Sequence, residues 1–221
     1  MKLSRVFAIN LLFIAGVFAL SIWAWGQLPP NAQIPTRFNF DGTPVAYMGK
    51  VSGLFLLPAI TLAFAITELI LPKIEPNQNN IRRSSKAYNI FSVALVIFFA
   101  IVHITIVLSA LEKTIDTSNV ISVALGGFLI IIGNYFGKIR RNYSFGFRTP
   151  WTLSSDLAWH KTHRWTGLLT VVHGFAFIVA GLSASSTLLI FTLISFLMVS
   201  VVILPVYSYL LWKSDTNRSA E

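Results

Sequence analysis

The chain has 221 residues, of which 55% are hydrophobic and only 11% are charged, and its mean hydropathy is +0.70. A soluble domain carries roughly 25% charged residues, so this composition excludes an ordinary soluble protein. The formal net charge is +9 and cysteine is absent, which excludes disulfides, thiolate metal sites and a cysteine nucleophile.

Six segments are long and apolar enough to cross a membrane, because about 20 apolar residues span the hydrocarbon core. They are residues 6–25, 51–71, 89–111, 120–136, 165–182 and 187–211. Each is predicted to be helical, because backbone amides in lipid must be paired within the segment and no alternating barrel pattern occurs. The first span lacks a small-x-small cleavage site and is expected to be retained. The predicted fold is an all-α, polytopic membrane protein with six transmembrane helices, kinked at Pro58 and Pro205.

The loops between these spans differ in their content of Lys and Arg. Fourteen of these residues, including Lys2 and Arg218, lie at the termini and in the loops on one side. The other side has Arg37, Lys50 and Lys113. Basic residues resist translocation, so both termini are predicted to be cytoplasmic. This asymmetry accounts for the positive charge, and direct binding of nucleic acid is not expected.

The first external loop, residues 28–50, reads LPPNAQIPTRFNFDGTPVAYMGK. Its prolines, asparagines and glycines favour turns and show no helical period, so we expect an ordered but irregular loop. Two interpretations stay open, because ordered loops need no ligand to exist. The loop is either a rigid connection between two spans or a surface that meets a partner outside the cell.

The cytoplasmic stretch of residues 133–166 contains six basic residues, three tryptophans and two histidines. Tryptophan rings favour the level of the lipid headgroups. Ser154 or Ser155 can cap a helix that carries Asp156 in its first turn. These features predict a short interfacial helix that lies along the inner membrane surface and leads into the fifth span.

Three ionisable side chains, Glu68, His103 and His173, fall within the predicted spans. Such groups are costly in lipid and are functional candidates by default. We expect Glu68 to pair with Lys138 or Arg140 near the cytoplasmic surface. The two histidines are expected to form hydrogen bonds between helices, because no chain of acidic residues accompanies them as in a proton relay.

The spacing of Asp156, His160 and His163 places all three on one face of a helix, which raises the hypothesis of a zinc site. The ligand set is incomplete, so no metal and no cofactor is predicted. The spans contain no aspartate and no serine lies in a GxSxG motif, so the protein is not expected to be an enzyme.

The segment GNYFGKIRRNYSFGFRTPWTLSSDLAWHKTHRWTG resembles the signature of the SdpI-type immunity proteins in its pieces GN, GKxRxN, RTPWTL and WxKTHR. The external loop is similar to the DUF1648 element that often precedes this signature, although Arg37 stands where that family usually has histidine. The resemblance divides the chain into a DUF1648-like region, residues 1–86, and an SdpI-like region, residues 87–221.

The resemblance implies a multi-pass protein of the bacterial inner membrane that protects the cell against a secreted, membrane-active toxic peptide. A characterised member of the family also acts in signal transduction, as a toxin-sensing receptor that holds an ArsR-type repressor at the membrane. The alternatives are a small-solute or ion transporter that uses Glu68, His103 and His173, and a structural protein whose signature loop binds membrane lipids.

The resemblance carries two sets of positions over to this chain, without assigning a chemical role to each. In the signature loop they are Asn134, Lys138, Arg140, Asn142, Gly146, Arg148, Thr149, Pro150, Trp151, Thr152, Trp159, Lys161, Thr162, His163 and Arg164. In the external loop they are Pro29, Pro35, Phe38, Asn39 and Gly42. Among these, we expect Arg148, Lys161 and Arg164 to form a docking face or to contact lipid phosphates.

Overall fold

Six helical segments of the computed structural model, which describes residues 3–113 and 115–216, are long and apolar enough to cross a membrane. The prediction of six spans is therefore confirmed. The elements of these spans are α1 (Leu3–Gln27), α2 (Lys50–Ile74), α4 (Ser85–Ala110), α5 (Thr117–Phe136), α7 (Asp156–Leu182), α8 (Ser186–Met198), a π-helical segment (Val199–Ile203) and α9 (Leu204–Ser214). Two short helices, α3 (Gln78–Arg83) and α6 (Pro150–Ser154), lie in the connections. Lys2 and Arg218 lie outside the described residues.

The loop of residues 28–50 is ordered, but it forms an antiparallel two-stranded ribbon of β1 (Gln33–Phe38) and β2 (Pro44–Gly49). The predictions of an irregular loop and of a purely α-helical fold were therefore wrong for this segment. The turn is closed by a hydrogen bond of 2.8 Å from the Asn39 N–H to the Thr43 oxygen. Pro44 begins β2, where a missing N–H is tolerated, so the prolines do not prevent strand pairing.

The ribbon is anchored to the helices through Ile34, which is fully buried. Ile34 belongs to a core cluster with Ala24 of α1, Leu54 of α2 and Val107 of α4. It contacts Gly53 so closely that a Cβ built on that glycine would lie 2.3 Å from the Ile34 Cβ. The ribbon and the ends of three helices therefore pack as one unit.

The fifth span begins earlier than predicted, at Asp156. The Ser155 hydroxyl oxygen caps it by accepting the N–H of Ala158 at 3.0 Å. The cap and the acidic first turn were predicted correctly, but they start the long helix α7 and not a separate interfacial helix. The physical reason is that Trp159 and His163 are buried against the signature loop. These two rings therefore contact protein and not the lipid headgroups.

Helices α5 and α7 are in very close contact through two pairs of glycines. A Cβ on Gly126 would lie 2.5 Å from the Gly174 oxygen, and one on Gly133 would lie 2.9 Å from the Gly167 oxygen. Small residues let two backbones approach, which is a main source of helix association in lipid. This contact sets the positions of the two helices that carry the signature loop.

The last span widens into a π-helical turn at Val199–Ile203, directly before Pro205. Proline has no N–H to donate to the preceding turn, so a helix that contains it must adjust locally. The predicted disturbance at Pro205 therefore takes the form of this π segment. Helix α2 continues through Pro58 from Lys50 to Ile74.

Candidate functional site

The signature loop between α5 and α6 folds around the side chain of Asn142, which is fully buried. The Asn142 Oδ1 accepts the backbone N–H groups of Ser144 and Phe145, each at 2.8 Å. Its Nδ2 donates to the Arg140 oxygen at 2.8 Å. Asparagine stabilises turns by bonding to nearby backbone in this way. Asn142 therefore organises the loop from inside.

Glu75, in the connection after α2, also forms hydrogen bonds with this loop. Its Oε1 accepts the N–H of Tyr143 at 3.0 Å and of Asn77 at 3.2 Å, and its Oε2 accepts the hydroxyl of Ser144. Three donors satisfy this buried carboxylate. Sequence reasoning missed Glu75. The available signal was a single acidic residue in the otherwise basic connection KIEPNQNNIRR.

Two further contacts join the signature loop to the connection between α2 and α4. The Ser84 hydroxyl oxygen accepts the N–H of Arg140 at 2.8 Å, and the Asn80 Nδ2 donates to the Arg141 oxygen at 2.8 Å. Both connections carry basic residues that the sequence assigns to the same side of the membrane. They therefore form one continuous surface at this end of the helix bundle, which we call the basic end.

Trp159 and His163, one turn apart on α7, stack at 4.0 Å between ring centroids. The Trp159 indole N–H donates to the Ile139 oxygen at 2.8 Å. The His163 Nε2 accepts the N–H of Phe147 at 3.1 Å, so its Nδ1 carries the proton that is donated to the Trp159 oxygen at 2.9 Å. Gly146 has φ of +111°, and a Cβ on it would lie 2.6 Å from the His163 Nε2. His163 is therefore a structural residue that requires glycine opposite it.

The RTPWTL piece forms the short helix α6 through a capping box. Thr149 accepts the N–H of Thr152 at 3.1 Å, and Thr152 accepts the N–H of Thr149 at 2.8 Å, with Pro150 in the first turn. The Trp151 ring packs edge-on against Tyr209 of α9, 5.3 Å away. The capping box therefore ends the loop, and the Trp151 ring connects α6 to the last span.

The cations of the signature are exposed, in contrast to these buried organisers. Lys138, Arg140, Arg148, Lys161 and Arg164 all present their side chains to the surface. The Arg148 guanidinium also donates to a backbone oxygen of the loop. The signature therefore combines buried residues that shape the loop with exposed cations that are accessible to an anionic partner.

Two signature positions, Asn134 and Thr162, lie on the helices on either side of the loop. Asn134 is exposed and bonds to Ile130 of its own helix at 2.7 Å. Thr162 is fully buried, and its hydroxyl has no hydrogen-bond partner. Neither side chain contributes to the exposed cationic surface.

The zinc hypothesis receives no support from the geometry. Asp156 forms an ion pair with Arg141 at 3.1 Å, His160 is exposed, and His163 is engaged with the loop backbone. Over residues 3–113 and 115–216 no group of three or more His, Asp or Glu side chains is arranged to hold a metal.

The prediction that Glu68 pairs with Lys138 or Arg140 was wrong. Glu68 accepts the hydroxyl of Ser92 on α4. The rotation of α2 turns Glu68 towards α1 and α4, whereas the two cations are exposed on the loop. Lys138 instead lies over the Tyr135 ring, 4.6 Å from its centroid.

His103 and His173 each meet a serine of another helix. The His103 Nε2 lies 2.8 Å from the Ser21 hydroxyl, which also bonds to the Leu54 oxygen at 2.8 Å. The His173 Nε2 lies 3.1 Å from the Ser195 hydroxyl. Both contacts are of the kind expected for polar packing between helices.

Three of the positions predicted in the loop of residues 28–50 make contacts within the protein. Pro35 is buried in β1, Phe38 packs against the core cluster, and Pro29 accepts a turn hydrogen bond from Ala32 at 3.1 Å. These positions hold the ribbon against the helix ends.

The turn of the ribbon reaches two other connections. A Cβ on Gly42 would lie 3.1 Å from the Asp116 carboxylate, and the Ser186 hydroxyl donates to the Phe40 oxygen at 3.3 Å. The Thr43 hydroxyl and the Thr43 N–H both donate to the Asp41 carboxylate, and these two hydrogen bonds hold the pKa of Asp41 below its ordinary value. The Asn39 Nδ2 also donates to the Thr43 hydroxyl oxygen at 3.2 Å. The ribbon therefore lies across the end of the bundle opposite the basic end.

Comparisons with known proteins agree with this architecture. The model of the SdpI/YfhL protein family matches residues 138–208, and that of the domain of unknown function DUF1648 matches residues 12–62. Immunity protein SdpI of Bacillus subtilis (strain 168) is 28% identical over 206 residues, which cover 93% of this chain and 95% of that protein. The chain therefore contains a region that matches the SdpI/YfhL family model, and it is similar to Immunity protein SdpI over nearly the full length of both chains. With its six apolar helices it is a multi-pass protein of the cell membrane. No solved structure matches it.

The matched ranges of the SdpI and DUF1648 models leave out the connection that supports the signature loop. Glu75, Asn80 and Ser84 all lie between the two ranges, although each bonds directly to the loop. In this chain the signature loop is therefore completed by residues that lie outside both matched ranges.

Proposed function

We propose that this protein is an immunity protein that protects a bacterial cell against a secreted, membrane-active toxic peptide. The observation that carries the proposal is the similarity to Immunity protein SdpI over nearly the full length of both chains. Protection by binding requires no reaction. We therefore assign no catalytic residue, metal or cofactor, and propose that the protein is not an enzyme.

The proposed orientation places the basic end and both termini in the cytoplasm, because fourteen of the seventeen Lys and Arg residues lie on that side. The ribbon then faces the outside of the cell. In this arrangement the DUF1648-like region, residues 1–86, supplies the external ribbon. The SdpI-like region, residues 87–221, supplies the cytoplasmic signature loop.

We propose that the toxic peptide meets the ribbon at the outer membrane surface. Phe40, Val45 and Tyr47 are 42%, 43% and 53% exposed, while Ile34 fixes the ribbon to the bundle. An apolar peptide that lies in the headgroup region could contact these side chains directly. Because the ribbon is already ordered, its backbone loses little conformational entropy when the peptide binds. Binding there keeps the peptide from inserting into the membrane.

We further propose that Arg148, Lys161 and Arg164 form the docking face for an ArsR-type repressor on the cytoplasmic side. All three side chains are exposed. The loop that carries Arg148 is held by the buried Asn142 and Glu75. Lys161 and Arg164 lie on α7, which is joined to this loop through Trp159 and His163. Guanidinium groups suit carboxylate and phosphate partners equally, and lipid phosphates are the competing partner for this face.

The immunity proposal is tested by expressing the protein in a bacterium that is sensitive to a sporulation-delaying-type toxic peptide and measuring survival. Wild type is expected to protect, and the double variant Phe40→Ala/Tyr47→Ala is expected to lose protection at equal membrane abundance. The matched control is Leu12→Ala/Phe13→Ala, which removes two exposed apolar side chains from the middle of α1. Equal survival of all three strains would contradict a role for the ribbon, and no protection by wild type would contradict immunity to this peptide.

The docking proposal is tested by the membrane recruitment of a tagged repressor. Arg148→Ala is expected to reduce recruitment, whereas Arg83→Ala, which removes an exposed cation of α3, is expected to leave it unchanged. Repressor that binds both variants as well as wild type would contradict docking at Arg148.

A further inference from the structure

A chain of polar side chains joins three spans near the basic end. The Asn10 Nδ2 on α1 donates to the Ser92 hydroxyl on α4 at 2.7 Å, and that hydroxyl donates to the Glu68 Oε2 on α2. Tyr88, one turn before Ser92, donates to the backbone oxygen of Glu68 at 2.6 Å. All four side chains are buried.

Two acceptor atoms of this cluster have no donor. The Glu68 Oε1 and the Asn10 Oδ1 are both buried and have no hydrogen-bond partner, and the two residues are 9% and 1% exposed. Buried acceptors without a donor are rare, and each needs an explanation such as a missing proton, ion or water.

No cation supplies the missing interaction. The ion pair found among residues 3–113 and 115–216 joins Arg141 to Asp156, not to Glu68. Arg5 on α1, Lys73 on α2 and Lys86 on α4 are exposed. Tyr88 is the titratable group in contact with Glu68, and it bonds to the backbone and not to the carboxyl group.

Glu75 is a second buried carboxyl group, and the structure surrounds it with donors. Its two oxygens receive three donors, two of them backbone N–H groups. The carboxyl oxygens of Glu68 receive one donor, the Ser92 hydroxyl. An isolated carboxylate in low dielectric is destabilised far more than a neutral carboxylic acid, so a buried carboxyl group with one donor is better accommodated in its neutral form.

We propose that Glu68 is a proton-binding site within the membrane and is a neutral carboxylic acid at neutral pH. A proton on Oε1 removes the buried charge and converts that oxygen into a donor, and the Asn10 Oδ1 is an unfilled acceptor in the same cluster. A metal ion fits less well, because hard cations need about six oxygen ligands and this cluster offers few.

Lys73, Arg82 and Tyr88 line an open cleft at the basic end, and the Tyr88 hydroxyl donates to the backbone oxygen of Glu68, so the cleft lies next to this cluster. Loss of the proton would leave a carboxylate among α1, α2 and α4 with one donor. The bound proton therefore favours the packed arrangement of these helices. The Glu68 site is separate from the ribbon and the signature loop. The proposal for Glu68 therefore does not depend on the proposal of immunity.

The test is infrared spectroscopy of the purified full-length protein in lipid nanodiscs at pH 7. The C=O stretch of a protonated carboxyl group is distinct from the bands of ionised carboxylates, and exposed Asp and Glu are ionised at this pH. We expect a protonated carboxyl band in wild type that is lost in Glu68→Gln and retained in Glu75→Gln. Absence of the band in wild type, or its loss in Glu75→Gln alone, overturns the proposal.

Two further variants separate a bound proton from a general effect on folding. Glu68→Gln keeps a neutral polar group of the same size, so it is expected to unfold at the same temperature as wild type, whereas Glu68→Ala is expected to unfold at a lower one. Asn10→Ala is expected to keep the protonated band but shift its position. A Glu68→Gln variant that is as unstable as Glu68→Ala or does not fold shows that the charge was needed, and overturns the proposal.

Discussion

Replacing Gly146 with alanine tests the central contact of the signature loop. The new Cβ would lie 2.6 Å from the His163 Nε2, at a backbone φ of +111° that side chains rarely adopt. The backbone conformation costs about 1–3 kcal/mol and loss of the hydrogen bond from Phe147 to His163 about 1 kcal/mol, so we expect a loss of about 2–4 kcal/mol in unfolding free energy.

The assay is reversible unfolding in mixed detergent micelles, followed by tryptophan fluorescence, because Trp159 stacks on the affected ring. The matched control is Gly137→Ala. Gly137 has φ of −66°, and a Cβ there would come no closer than 3.9 Å to the Arg164 Cα. This control should change the unfolding free energy by less than about 0.5 kcal/mol.

A double-mutant cycle identifies the cause of the loss. If the clash with the imidazole is responsible, Gly146→Ala should cost less in a His163→Ala background than in wild type. Equal stabilities for Gly146→Ala and Gly137→Ala would refute the reasoning, because the two variants differ in the backbone strain and the contact invoked here.

Three further variants probe other parts of the structure. Gly174→Ala should weaken the contact of α5 with α7 and lower the unfolding temperature, whereas Gly127→Ala, whose Cβ would meet nothing within 4 Å, should not. Trp159→Phe removes a buried indole donor and should cost about 1–2 kcal/mol in unfolding free energy, while the exposed Trp165 should tolerate the same change. Asp41 has a lowered pKa, so its contribution to the ribbon turn is present above its unfolded pKa, near 3.8, and is lost as pH falls through the lower folded pKa. The NMR shift of the turn amides should follow that acid titration in wild type and not in Asp41→Asn; a wild-type transition above 3.8 would contradict the expected direction.

The signature residues owe their roles to two different environments. Asn142 and His163 are buried and bond to the loop backbone, so substitution of either should alter the shape of the loop. Arg148, Lys161 and Arg164 are exposed, so we expect their substitution to change the charge of the surface. The experiments on stability and on recruitment therefore separate the two groups.

Much of the architecture follows from the sequence alone. Whether a segment enters lipid depends on its own length and composition, and this is why all six spans were identified. The SdpI and DUF1648 motifs were identified because each lies in one short, continuous stretch of sequence. The cap by Ser155 and Asp156 was predicted for the same reason, since capping involves neighbours along the chain.

Only the tertiary structure decided which polar groups meet across helices. Glu68 faces Ser92 and not a cation because the rotation of α2 against α4 sets the direction of its side chain, and hydropathy carries no information about that rotation. Glu75 reaches the signature loop only because two connections far apart in sequence fold onto the same end of the bundle. Membrane insertion is a local property of each segment, whereas the partner of a buried polar group is fixed by the packing of the whole bundle.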